Sequence, residues 1–266
     1  MKQTEQEREH MEKRISFGAK VSILLRSLFI QAGWNYKGMI SMGFGFALAP
    51  LARMLYKNDP AAYNAFLRRH LGFFNAHPYF ASYALGAIVR LEEDIAAGKV
   101  SVDQEEHFKN ALIGPLGALG DQLFWGVIRP AVFAFGVLGY YLYDDIKDQL
   151  TILLLLFILY NLPHLYIRIH GFWRGYRDGY KVCRILKMEN FRFIKRAYMG
   201  LGLFCVGILA GLNAPFPPHV LPMEFLIFIV SIVTAAYLKV LKARTYFAMT
   251  IPILIALLLE LITGNL

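Results

Sequence analysis

Gly114-Pro115-Leu116-Gly117-Ala118-Leu119-Gly120-Asp121-Gln122-Leu123-Phe124-Trp125-Gly126-Val127-Ile128-Arg129-Pro130 decides how this chain is read. Three evenly spaced glycines, two prolines, an acid, a base and a tryptophan run straight into a long apolar segment. Glycine and proline argue for a disrupted backbone at a membrane boundary. Such backbone is tolerated at membrane depth only where protein or a water-filled cavity covers it, and ionisable residues there are usually functional. The stretch therefore suggests either a solute path or a packed polar seam.

Working outward, the 266 residues are 57% hydrophobic, with a mean hydropathy of +0.44. That is too apolar for an ordinary soluble domain. Five apolar blocks follow the stretch, at 127–143, 150–167, 197–212, 224–240 and 246–263. Each is near the ~17–25 residues that cross a bilayer core. The four connections alternate in charge. Residues 144–148 are acidic, 164–196 are rich in Arg and Lys, 213–219 carry neither, and 239–244 are basic again. The positive-inside rule places the basic connections in the cytoplasm and the C-terminus outside. Residues 1–14 are charged, without the apolar core of a signal peptide, and are expected to stay cytoplasmic.

The first half is more broken. Residues 17–33, 39–56 and 73–91 are apolar but short or interrupted by Gly and Pro, which fits interfacial or re-entrant helices. The acid-rich runs 90–94 and 103–107 read as aqueous helix ends. The expected architecture is an all-α integral membrane protein, a multi-pass helical bundle. It has a charged tail (1–16), an interfacial or re-entrant half (17–126) and a transmembrane half (127–266) with about five spans.

The net charge of +9 does not indicate nucleic-acid binding, because the basic residues lie between apolar blocks and form no single patch. Cys183 and Cys205 have neither metal nor disulfide spacing. His77, alone before Pro78, reads as a capping or packing residue, and no metal or cofactor site is expected. Gly171, Gly175 and Gly179 recur every four residues and form a face for close helix contact. Phosphate-loop, serine-hydrolase and zinc-protease motifs are absent, so the chain is not expected to be an enzyme on its own. Asp121, Trp125 and Arg129, spaced by four, share one helix side. They read either as a polar, aromatic face for a polyhydroxylated ligand or as a capping Asp with a snorkelling Arg.

Several motifs in fixed order resemble the IID membrane component of mannose/fructose/sorbose-type sugar phosphotransferase systems (PTS). They are Leu25-Arg26-Ser27 with Gln31 and Trp34-Asn35-Tyr36, Arg68-Arg69-His70-Leu71 with Phe73-Phe74-Asn75 and Pro78, Leu91-Glu92-Glu93, and the whole 114–130 stretch. A weaker match includes Tyr160-Asn161-Leu162 and Gly175-Tyr176. The resemblance implies a multi-pass subunit of the bacterial cytoplasmic membrane that pairs with a IIC subunit to bind and translocate a sugar. A cytoplasmic IIB domain, charged by IIA, then phosphorylates the sugar, and IIC–IID pairs assemble into an oligomer within the lipid bilayer. On this reading Asn35, Asn75, Asp121 and Trp125 line the sugar path, with Gln31, Glu92 and Arg129 as second choices. The chain departs from the family pattern at Lys37-Gly38, at Ala76-His77, around residues 196–200 and in a short connection at 213–223. One alternative is a divergent assembly or docking subunit without sugar contact, whose basic segment 168–196 holds IIB or anionic lipid. Another is a stand-alone carrier or membrane enzyme.

Overall fold

The computed structural model describes residues 14–213 and Leu254. The chain divides after Leu209 into two compact units. In the first, eight α-helices follow one another: α1 (Phe17–Arg26), α2 (Ser41–Leu55), α3 (Pro60–Leu71), α4 (Ala81–Ala96), α5 (Val102–Gly120), α6 (Arg129–Leu142), α7 (Ile146–Asp178) and α8 (Arg192–Asn213), the last running past the boundary. A π-helical segment, Asp121–Ile128, joins α5 to α6. Strand pairing among the described residues is limited to two isolated bridges. Of the second unit, only residues 210–213 and Leu254 are described.

Local chemistry sets the helix starts. Ser16 Oγ accepts from Ala19 N at 3.2 Å, and Asp59 Oδ1 accepts from Ala62 N at 2.9 Å just before Pro60. Ser101 and Gln104 form a reciprocal capping box, and Asp145 Oδ1 takes Lys147 N at 2.7 Å. Each satisfies a backbone donor that a helix start leaves open.

The core lies around α4, which is buried along most of its length and packs on α7. Glycine makes this crossing close. A methyl group on Gly86 would overlap the Phe172 carbonyl and lie 2.7 Å from Tyr176 N. One on Gly175 would overlap the Tyr83 carbonyl and lie 2.9 Å from Ala87 N. The helices thus meet backbone to backbone, as the spacing of Gly171 and Gly175 predicts. Gly179, the third glycine of that series, instead ends α7 at φ 51° and takes no part in the close crossing. Ser82 Oγ donates to Ile167 O across the same seam at 3.4 Å.

Three helical stretches, Val102–Leu142, Ile146–Arg184 and Met188–Leu212, are long and apolar enough to cross a membrane. They contain the expected blocks at 150–167 and 197–212 and all of 127–143 but its last residue. The blocks at 224–240 and 246–263 lie outside the described residues, apart from Leu254. Side chains along α6 and α7, among them Phe133, Tyr140, Leu153 and Phe157, are exposed, as suits a bilayer solvent. The protein is an all-α membrane protein.

Three sequence expectations are corrected. The 114–130 stretch does not break the helix: backbone runs helical from Val102 to Leu142. Pro130 lacks an N–H, and it falls where the wide i→i+5 register, seen in Arg129 N donating to Phe124 O, already displaces the usual ladder. The basic connection at 164–196 begins later than expected, because α7 continues to Asp178 and buries Arg168. Finally, Glu92, Glu93 and Glu105 are not aqueous helix ends; all three are buried.

Candidate functional site

Three motif segments, distant in sequence, meet in space. The first is the Asn35 turn. Asn35 Oδ1 accepts from Lys37 N (3.1 Å) and Gly38 N (2.8 Å), and its Nδ2 donates to Gly33 O (3.1 Å). The turn closes on Met39, held at φ 57°, a left-handed conformation that costs a non-glycine residue roughly 1–2 kcal/mol. The second segment is the loop before α4. Ile40 N donates to Phe74 O (3.2 Å) and Phe74 N to Gly38 O (3.3 Å), so the Asn35 turn is tied to the residue preceding Asn75. The third is the π segment. His77 packs on Gly120, where a β-carbon would overlap its ring. It stacks on Phe124 at 5.1 Å and meets Trp125 at 5.4 Å.

The expected lining residues divide on this scaffold. Asn75 and Asp121 are exposed, and Trp125 is 42% exposed, with the Arg129 guanidinium 5.2 Å from its ring. Gln31 and Arg129 are exposed too. Asn35 is half-buried and uses its amide to hold the turn. Asp121 is not an N-cap: its φ/ψ of −62°/−45° is helical and its N–H bonds back into α5. It leaves a carboxylate on the open side of a helix long enough to span a bilayer. Such a charge is costly against lipid and calls for protein or water beside it.

Glu92 lies elsewhere, three turns into α4 and fully buried. Its carboxylate accepts from Arg69 Nε (2.8 Å) and Nη2 (2.7 Å), from Tyr56 OH (2.9 Å) and from His70 Nε2 (2.7 Å). Burial pushes the Glu92 carboxyl up, but the His70 hydrogen bond and the Arg69 charge outweigh it and hold it below the usual range. Burial also presses His70 down to about 4, against the pull of Glu92. At neutral pH His70 is therefore a neutral donor to a charged acceptor. Glu105 joins this cluster 3.9 Å from Arg69 Nε, and Lys109 Nζ donates to the Arg69 carbonyl. Ligand atoms of His70, Glu92 and Glu105 lie within 4.8 Å of one another. However, Glu92 is already engaged by Arg69, Tyr56 and His70. Arg69 and Lys109 bring two positive charges to the two carboxylates, although both Glu105 oxygens lack a hydrogen-bond partner among the described residues. The donor set reads as an internal ion network rather than a metal centre.

Sequence reasoning missed a second polar seam. Arg168, 3% exposed, donates to the Ser27 carbonyl, to Ser27 Oγ at 3.1 Å and to His164 Nε2 at 3.2 Å. The Tyr79 ring stacks on His164 at 3.9 Å, and its hydroxyl meets Tyr160 OH at 3.1 Å. His77 is held at about 4 by burial and by the Arg168 charge. Its Nδ1 accepts from Tyr79 N (3.3 Å) while Nε2 has no partner. The sequence signal for this seam was the polar and aromatic residues at 160, 164 and 168, towards and just past the end of the apolar stretch 150–167.

Comparison with known proteins supplies the context. The model of the PTS system mannose/fructose/sorbose family IID component matches residues 15–263. The mannose-specific EIID component of Escherichia coli K12 is 34% identical over 199 residues, covering 74% of this chain and 69% of that protein. The fructose permease IID component of Bacillus subtilis is 31% identical over 200 residues, covering 74% and 70%. Among solved structures, a chain of the cryo-EM complex of the mannose transporter ManYZ with microcin E492 superposes with a TM-score of 0.59 at 27% identity. That match covers 96% of this chain and 97% of that one.

Proposed function

This chain belongs to the IID component family of mannose/fructose/sorbose phosphotransferase systems, and from that premise we propose that it forms, with a IIC subunit, the membrane channel that binds and translocates a sugar for phosphorylation by IIB. The observation that carries the reading is the surface at the π segment. Exposed Asp121 and half-exposed Trp125 stand beside the Asn75 loop, on a helix that otherwise suits lipid. A carboxylate and an amide exchange hydrogen bonds with sugar hydroxyls, and an indole face covers the apolar side of a pyranose. Because these groups are exposed in the single chain, the second wall of the path comes from IIC.

The substrate is of the hexose class, by analogy with the mannose and fructose named for the relatives. The chain itself carries no phosphoryl group; that step belongs to IIB, recharged by IIA. Arg and Lys after α7 face the cytoplasm with the N-terminus, and the C-terminus lies outside. The IIC–IID pairs assemble as an oligomer in the bacterial cytoplasmic membrane.

The test is labelled-sugar binding to purified IIC with and without this chain. The reading expects binding only when both are present. Equal binding by IIC alone would leave this chain a docking subunit.

A further inference from the structure

Two clefts lie side by side along α7 and share a border. One, of about 730 Å³, is bordered by Arg14, Arg90, Arg174, Arg177 and Trp173. The other, of about 640 Å³, is bordered chiefly by apolar and aromatic groups, including Leu162, Pro163, Tyr166, Phe191 and Tyr198. His170 and Arg174 border both. Along α7 the order is therefore basic at the C-terminal end and apolar towards the middle of the helix.

We infer that this cleft holds one anionic phospholipid, its phosphate among the four arginines and an acyl chain along the aromatic groove. The charge balance favours an anion. Arg90 pairs with Asp94 at 3.1 Å, and Asp178 serves both Arg174 (2.8 Å) and Arg177 (3.4 Å). Arg14 pairs with no carboxylate among the described residues. Glu93 also lies at this end of the cleft, accepting from Ile15 N (2.9 Å) and from Tyr176 OH (2.9 Å), and Lys20 lies over the Tyr176 ring at 3.9 Å. Five cations thus face three carboxylates, which leaves a net positive cleft with donors for phosphate oxygens.

The dimensions agree. From Leu162 to Arg177 a helix rises about 22 Å. Half a bilayer core with its headgroup layer is about 20–22 Å. The middle of the groove is shaped by Tyr166 stacked on His170 (5.4 Å) and by Tyr83 OH against His170 Nδ1 (3.1 Å). Trp173, stacked on Phe17 at 5.4 Å, borders the basic cleft, in keeping with the indole rings that membrane proteins place at the interface. Basic pockets between helices on the cytoplasmic side suit anionic headgroups, and each basic residue strengthens the attraction. A protein partner would use the arginines but would not need an apolar groove leading away from them.

The experiment is native mass spectrometry of the chain purified with its membrane partner, delipidated and then offered phosphatidylglycerol or phosphatidylcholine. Phosphatidylglycerol is expected to be retained in preference. Retention should fall about fivefold in Arg14→Gln or Arg177→Gln and about 25-fold in the double variant, with an unchanged melting temperature reporting an intact fold. Equal retention of phosphatidylcholine would overturn the inference, as would undiminished phosphatidylglycerol binding by the double variant. Occupancy by inorganic phosphate with no lipid retained would overturn the lipid assignment. So would capture of a cytoplasmic subunit by the delipidated complex that the double variant abolishes while lipid retention stays unchanged.

Discussion

Replacing Gly86 by alanine should separate the two central helices. The added methyl meets Tyr176 N at 2.7 Å as well as overlapping the Phe172 carbonyl, and both are backbone atoms that no rotamer change can move. Ordinary contact begins near 3.4 Å, so α4 and α7 must part by at least 3.4 − 2.7 = 0.7 Å. A gap of that size forfeits a quarter to a half of the dispersion between the facing atoms, and overpacking of this kind costs about 2 kcal/mol. Two hydrogen bonds bridge the same seam, Ser82 Oγ to Ile167 O and Tyr176 OH to Glu93, each contributing about 1 kcal/mol. The sum, about 4 kcal/mol, corresponds to a fall in melting temperature on the order of 10 °C. The assay is thermal unfolding of the detergent-purified chain. Gly114→Ala is the control, since its β-carbon meets nothing within 4 Å and should gain up to about 1 kcal/mol of helix propensity. Gly86→Ala melting with wild type would refute the backbone-to-backbone crossing.

Other outcomes follow from the buried charges and the turn. Arg69→Met strands the Glu92 carboxylate and should cost about 3–5 kcal/mol in the same assay; Arg69→Met with Glu92→Leu should recover much of that loss. Stability should fall on acidification between about pH 6.5 and 4. In that window the unfolded His70 takes a proton that the folded one, held at about 4, refuses. The difference between 6.5 and about 4 corresponds to about 3 kcal/mol. His77, also held at about 4, adds to the slope, so His70→Gln should flatten the pH–melting curve without abolishing its slope. Asn35→Ala should lower stability by about 1–2 kcal/mol through loss of the turn, whereas Asn75→Ala should spare stability and lower sugar binding.

What was legible in the sequence is what rests on short-range pattern. The apolar blocks at 127–143, 150–167 and 197–212 fall within helices, save Tyr143 at the end of the first. The spacing of Gly171 and Gly175 marked the seam where backbone meets backbone. The order of motifs from Leu25 to Pro130 pointed to the family. Continuity through Gly114–Pro130 was not legible, because local propensity scores Pro115 and Pro130 as breakers while the π register and the packing of His77 on Gly120 keep the helix whole. The burial of Glu92, Glu105 and Arg168 was equally hidden. Each looks like a solvated charge until folding brings it to partners on other elements, Arg69 for Glu92 and Glu105 and Ser27 for Arg168.

The account rests on Asp121 and the surface around it. The most direct measurement is uptake of labelled sugar by cells carrying Asp121→Ala, read alongside recovery of the assembled membrane complex. Complex at wild-type level with uptake reduced at least tenfold is the expected result. Wild-type uptake in a fully assembled Asp121→Ala complex would contradict the assignment of this surface to the sugar path.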